Sequence, residues 1–276
     1  MVNFKRFHLI ILALLLALAM SAGARDVSGT AQQNPLGKDE ILSQELQHTL
    51  SDRVDLRNVA VYVDDRVATL QGTVETYRDK LEAERLVRKH KGIEGVRDFI
   101  AVKPLLSIDD RELREDIANR LRYDRIGFGI MFNNFEVSVK DGVVTVRGEA
   151  RSYPDKASAL AIVQDTPGVR DVRDEINVLP LSAFDDELRL RTAMAIYRDP
   201  TLEKYASDPQ APIRIVVEHG NVKLYGVVDS ALDKQIAEMK AKQVSGVFSV
   251  ENYLLVANER GEKLAEGKSD AATSQQ

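Results

Sequence analysis

Four histidines, one recurring polar position and a large stock of carboxylates are the groups in this sequence that could do chemistry. The histidines are His8, His48, His90 and His219. A metal site needs ligands that converge, usually announced by a short helical or turn spacing between His, Cys or acidic residues. These four stand far apart, none at such a spacing from another, so no metal and no cofactor is expected. Asp98, Asp174 and Asn252 share the parity of the apolar residues around them. A carboxyl on an inward face is how a general acid gains a raised pKa. The third member is an asparagine, which does not titrate, so the position is expected to hydrogen-bond neighbouring backbone. There is no cysteine, hence no thiolate nucleophile, disulfide or Cys-bound metal. Gly127-Phe128-Gly129 lacks the Lys-Ser/Thr of a phosphate loop, and no Gly-x-Ser-x-Gly elbow occurs. The remaining carboxylates are interspersed with Lys and Arg, the pattern of solvated faces. No catalytic residue is assigned, and an enzyme is not expected.

Binding chemistry is better represented. Residues 125–135 read RIGFGIMFNNF and hold three of the six phenylalanines downstream of residue 24. Arg120, Arg122 and Arg125 stand just before them. Apolar residues flanked by basic ones suit an interfacial membrane contact. Arg125, Phe128, Ile130, Met131 and Phe132 are therefore candidates for contact with lipid or a partner. The competing reading is that residues 126–132 are core, or pack between repeats, as large apolar residues usually do.

Lys5 and Arg6, the apolar run at 9–20 and Ala22-Gly23-Ala24 have the three-part pattern of a cleaved export signal. At 12 residues the run is short for a membrane span. No Cys follows it to take a lipid. Cleavage near Ala24 would leave 36 basic and 43 acidic residues, a net charge of −7. That balance argues against nucleic acid as a partner, since phosphate binding depends on clustered Lys and Arg.

The elements that must carry these residues come in three copies. Residues 59–102, 135–178 and 213–256 align without gaps. Gly72, Gly148 and Gly226 coincide, as do Gly92, Gly168 and Gly246, with 20 residues between the two glycines each time. Such phase is the mark of an internal repeat. In the second copy Phe135, Val137 and Val139 alternate with polar residues, Asp141-Gly142 follows, and Val144 and Val146 alternate again. That is a hairpin signal. The third copy has His219-Gly220 at the turn, while the first has Arg66 in place of glycine and a less well specified turn. Gly72, Gly148 and Gly226 fall inside the second strand, where glycine marks a close backbone approach, and the following helix is expected to pack there. Gly92, Gly168 and Gly246 are expected to cap that helix. A last strand follows. Before each hairpin an i, i+4, i+8 stripe forms another helix: Leu42, Leu46, Leu50; then Leu113, Ile117, Leu121 after Ser107 and Asp110 as caps; then Leu188, Thr192, Ile196 after Asp185 and Asp186. Residues 199–212 of the third copy are expected to add a short surface helix.

The pattern of alternating valines, Asp-Gly, Val-x-Leu-x-Gly-Val, a helix and Gly-Val-x-x-Val resembles the BON (bacterial OsmY and nodulation) domain. It stands here as DGVVTVRGEA with GVRDV and as HGNVKLYGVV with GVFSV. The resemblance covers nearly all of residues 39–256. It implies an α+β fold of three tandem αββαβ modules, each a three-stranded sheet with two helices on one face. It also implies a periplasmic location and a role in osmotic stress or envelope maintenance; some members bind phospholipid. Three copies and no lipid-attachment Cys depart from the lipoprotein members. The expected organisation is a signal peptide at 1–24, a flexible segment at 25–37, repeats at 38–103, 107–179 and 183–256, and a disordered tail at 257–276. The expected function is binding of phospholipid or envelope components, or adaptor binding of envelope proteins without lipid affinity. Because each repeat is small for a lone core, the repeats are expected to touch one another.

Overall fold

The computed structural model describes residues 37–103, 108–123, 129–207 and 213–257. The expected signal, the segment before residue 37 and the tail beyond residue 257 lie outside them. Repeat 1 runs helix α1 (Lys38–Ser51), a 3-10 turn (Val54–Leu56), β1 (Val59–Asp64), β2 (Val67–Val74), α2 (Tyr77–Arg88) and β3 (Gly95–Val102). Repeat 2 runs α3 (Asp110–Arg122), a 3-10 turn (Gly129–Phe132), β4 (Asn134–Lys140), β5 (Val143–Ala150), α4 (Tyr153–Gln164) and β6 (Asp171–Val178). Repeat 3 runs α5 (Ala183–Tyr197), the short α6 (Glu203–Ser207), β7 (Arg214–Glu218), β8 (Asn221–Val228), α7 (Ala231–Lys242) and β9 (Ser249–Val256). Each sheet has three strands in chain order, the first pair antiparallel and the second parallel. A parallel neighbour demands a crossover, and the second helix of each repeat supplies it. This is the expected α+β module, made three times.

The stripes behave as their spacing dictates. Leu113, Ile117 and Leu121 are buried with Val144, Val146, Ala159 and Val163. Leu46 and Leu50 are buried with Leu70, Ala83 and Val87. The start of α3 differs from expectation: Asp109 is its cap, accepting from Glu112 N at 2.8 Å, while Ser107 lies outside the described residues; Ser182 caps α5, accepting from Asp185 N at 3.1 Å. Asp110 and Asp185 are thereby free for another task. Asp110 Oδ2 and Oδ1 accept the N–H groups of Asp141 and Gly142 at 2.7 and 2.9 Å. Asp185 holds His219 and Gly220 in the same way, at 3.0 and 2.9 Å, and Asp39 holds Asp65 N at 2.8 Å. The first helix of each repeat thus grips its hairpin turn. All three turns have positive φ at both central residues, Arg66 at 61° included, the geometry that matches strand twist.

Gly72 and Gly148 of one set and Gly92 and Gly246 of the other stand in tight places, for reasons other than those expected. A Cβ on Gly72 would collide with Asn58 O, and one on Gly148 with Asn134 O. The close neighbour is the backbone leading into the first strand, not the helix. Gly92, Gly168 and Gly246 are not helix caps: Lys89, Asp165 and Gln243 fill those positions in right-handed conformation. The glycines stand in the following turn at φ of 105°, 95° and 95°. There, Cβ atoms on Gly92 and Gly246 would press on Leu42 and on Phe184.

The recurring polar position closes the outer edge of the last strand. Asp98, Asp174 and Asn252 accept from Ile100 N, Ile176 N and Leu254 N at 2.8, 3.0 and 3.2 Å. Lys80 and Lys156 donate to the carbonyls of Ile100 and Ile176 at 2.9 and 2.8 Å. Satisfied edge groups resist pairing with a stray strand.

The repeats touch, and residues from Lys38 onward fall in one compact unit. At the first junction Tyr77 packs against the cores of repeats 1 and 2, and Arg78 pairs with Asp165. At the second, Phe132 of repeat 2 is 1% exposed and belongs to the buried cluster of repeat 3 that includes Leu188, Ile196 and Ile213. Lys223 and Glu149 bridge the same junction at 3.1 Å. The short helix α6 does not merely lie on the surface: Leu202 and Tyr205 are buried, and the Tyr205 hydroxyl donates to Asp233 at 2.5 Å.

Candidate functional site

The hairpin end of a repeat is where three segments meet: the turn, the start of the first helix and the entry to the last strand. The three repeats build this end on the same backbone plan. The N–H of the residue entering the last strand donates to the turn carbonyl in each, Glu94 to Arg66, Arg170 to Gly142 and Phe248 to Gly220, all at 2.9 Å. Side chains then distinguish them. In repeat 1 Glu94 pairs with Arg66. In repeat 2 the aliphatic part of Arg170 lies against Gly142. In repeat 3 the Phe248 ring lies over Gly220, so close that a Cβ there would stand 2.5 Å from it.

Phe248 nevertheless remains 77% exposed. Phe184, in the first turn of α5, packs against Gly246 and is 46% exposed, and Leu181 just before that helix is 89% exposed. The counterparts of Phe184 in the other repeats are Lys38 and Asp109. Three large apolar side chains therefore stand at one end of repeat 3, and two of them, Phe184 and Phe248, take places where its sister repeats carry charge. The acids beside them are engaged: Asp185 is buried on the turn, Asp186 pairs with Arg189 at 2.6 Å, and Glu187 pairs with Arg191 at 3.6 Å. An exposed apolar tip on a polar body is the shape of a surface that meets lipid or another apolar face.

The residues singled out from sequence are divided by the structure. Arg125 and Phe128 lie outside the described residues. Ile130 belongs to the 3-10 turn Gly129–Phe132. Met131 is half-buried against the core of repeat 3. Phe132 is core, as the competing reading had it, which corrects its assignment to lipid or partner contact: the ring is enclosed in the buried cluster of the neighbouring repeat, and a side chain so enclosed cannot insert elsewhere. The tip residues were missed in the sequence, although the signal was there: aligned by their glycines, the repeats show Phe248 where Glu94 and Arg170 stand.

Chemistry of other kinds finds little support. His48 faces Asp52 at 3.2 Å on an exposed helix face, His90 faces Glu45 at 3.7 Å, and His219 is a turn residue. Among the described residues no three His, Asp or Glu side chains are placed to hold a metal. A shallow depression of about 340 Å³ is lined by Met194, Ala195, Arg198, Asp199, Pro200 and Lys240. Its Asp199 carboxylate is held below the usual range by Lys240, 3.0 Å away, and it has no nucleophile beside a base. None of the described helices is long and apolar enough to cross a membrane.

Comparison with known proteins agrees with this architecture. The family model of the BON domain matches residues 38–104, 109–180 and 201–258. Osmotically-inducible protein Y of Escherichia coli (strain K12) is 23% identical over 164 residues, a match covering 56% of this chain and 80% of that protein. The C-terminal domain of CdsD, a structural protein of the Type III secretion system of Chlamydia trachomatis, is 14% identical; the match covers 78% of this chain and 96% of that one, with a TM-score of 0.21. The periplasmic domain of the inner membrane protein PrgH from S. typhimurium is 12% identical, with 77% and 98% covered and a TM-score of 0.20. Overlaps that low carry no functional argument. With three matched segments spanning most of its length, this chain belongs to the BON domain family.

Proposed function

We propose that the protein is an exported, non-enzymatic envelope protein of osmotic stress that contacts phospholipid surfaces through the hairpin end of repeat 3. The observation that carries this reading is the exposure of Phe184, Phe248 and Leu181 together at that end. Its likeness to an osmotically inducible protein supports the stress role, and the signal-like pattern of residues 5–24 supports export to the periplasm. The arginines of α5 are spent on Asp186 and Glu187, so the tip offers apolar area rather than surplus positive charge. Burial of a phenylalanine in an apolar medium is worth about 2–3 kcal/mol, so two rings suffice for weak, reversible attachment.

Vesicle co-sedimentation tests this. Binding is expected to neutral as well as anionic phospholipid and to survive high salt, because apolar contact is not screened. The Phe184→Ser/Phe248→Ser double variant is expected to lose at least tenfold in partitioning while staying folded, since both rings are largely outside the core. Failure of every vesicle to bind would leave the adaptor role, in which the same tip meets an envelope protein.

A further inference from the structure

The first junction is a template whose two halves recur, unused, elsewhere in the chain. Its donor half is the start of the second helix of repeat 1. The Tyr77 hydroxyl donates to Asp171 and accepts the N–H of Val172, on the outer edge of β6; burial and then Asp171 push its pKa up to about 12. Arg78 pairs with Asp165 and donates to Ala161 O at 3.2 Å. The acceptor half is thus the end of the second helix together with the first residues of the last strand.

Repeat 2 has the donor again. Tyr153 occupies the same helix position as Tyr77 and is 76% exposed. Repeat 3 has the acceptor again. Ala161, Asp165, Asp171 and Val172 are replaced there by Met239, Gln243, Ser249 and Val250, with Met239 47% exposed. The ion pair has been lost from both halves together: Arg78 becomes Pro154 and Asp165 becomes Gln243. A contact between the two would therefore set Tyr153 on the Ser249–Val250 edge and Pro154 beside Met239 and Gln243, with no charge in place of the lost ion pair. The acceptor of repeat 1 is different, since it presents Arg85 and Lys89 at the matching helix positions.

We infer that Tyr153 of one copy docks on the Met239–Val250 surface of a second copy, repeating between molecules the contact that joins repeats 1 and 2 within one. The tyrosine hydroxyl takes the outward N–H of Val250, as Tyr77 takes that of Val172. Such a contact is heterologous, so donor and acceptor remain free at opposite ends of a dimer and association is open-ended.

Sedimentation velocity on the purified protein over a wide concentration range tests this independently of lipid. The mean mass is expected to rise with concentration, with half-association at roughly 10–500 μM, as suits a small contact. Tyr153→Glu and Met239→Glu should each remain monomeric, and circular dichroism should show both folded because both sites are exposed. Mixed in equal amounts, the two variants should form a 1:1 dimer and nothing larger, because each supplies the half the other lacks. The Pro154→Arg/Gln243→Asp variant restores the ion pair and should lower the half-association concentration about two- to fivefold. A wild-type protein that stays monomeric throughout, a mixture that stays monomeric, or a Tyr153→Glu variant that associates like wild type would each overturn the inference.

Discussion

The two junctions of this chain join the same module to the same module by different means. Repeat 1 meets repeat 2 through one partly buried tyrosine and an exposed ion pair set on a helix start. Repeat 2 meets repeat 3 through Phe132, wholly enclosed in its neighbour's core. The modules are alike in their hairpins, caps and turn-gripping aspartates, so the difference arises in the segments between them. The stretch between first helix and first strand is longer in repeats 2 and 3, and in repeat 2 it forms the 3-10 turn that delivers Phe132. The lesson is that tandem modules with a common core can be docked by whatever the variable insert carries, rather than by the conserved plan.

The sharpest way to break this contrast is Phe132→Ala. Removing a large enclosed ring should cost about 3–5 kcal/mol, although Phe132 lies outside repeat 3 in sequence. In denaturant, the loss should appear in the unfolding of repeat 3 as well as repeat 2; a loss confined to repeat 2 would count against a shared core. At the other junction Tyr77→Phe removes two hydrogen bonds and should cost about 1–2 kcal/mol, detectable as a lower denaturation midpoint.

Alkaline titration sharpens the same point. Burial and Asp171 raise the Tyr77 pKa from near 10 to about 12. A group whose folded pKa is raised contributes stability in full below its unfolded value and loses it as pH climbs through the folded one. The first junction should therefore hold at pH 9 and weaken between pH 10 and 12. Tyr77→Phe should remove that part of the pH dependence, as followed by proteolysis between repeats 1 and 2. The smallest effect is expected from Arg78→Ala: its ion pair with Asp165 is about half exposed on both sides, and such pairs contribute about 0.2–1 kcal/mol.

The module itself was legible in the sequence because its determinants are local. Strand alternation, turn chemistry and the i, i+4 stripes gave the strands and the two main helices of each copy, though neither 3-10 turn, and the glycine phase gave their equivalence. What was not legible depends on contacts distant in sequence. Gly148 announced a close approach, but that its neighbour is Asn134 O rather than the next helix follows from how the hairpin closes. Asp110 looked like a cap because it opens a helix, whereas its oxygens, like those of Asp185, reach a turn more than thirty residues away. Phe132 stood out correctly as unusual, but an apolar cluster in a sequence looks the same whether it will face lipid or a neighbour's core. The tip of repeat 3 was hidden for the opposite reason: Phe184 and Phe248 are isolated in sequence, and only the fold brings them to one end.

The most direct test of the proposed function uses the absence of tryptophan from this chain. Phe248→Trp would place a single fluorescent reporter at the tip, and Glu94→Trp one at the matching place in repeat 1. Fluorescence is measured on adding vesicles that contain brominated phospholipid. The account predicts a blue shift and quenching for the reporter at 248 and no change for the one at 94. Equal responses at both places, or none at 248, would contradict it.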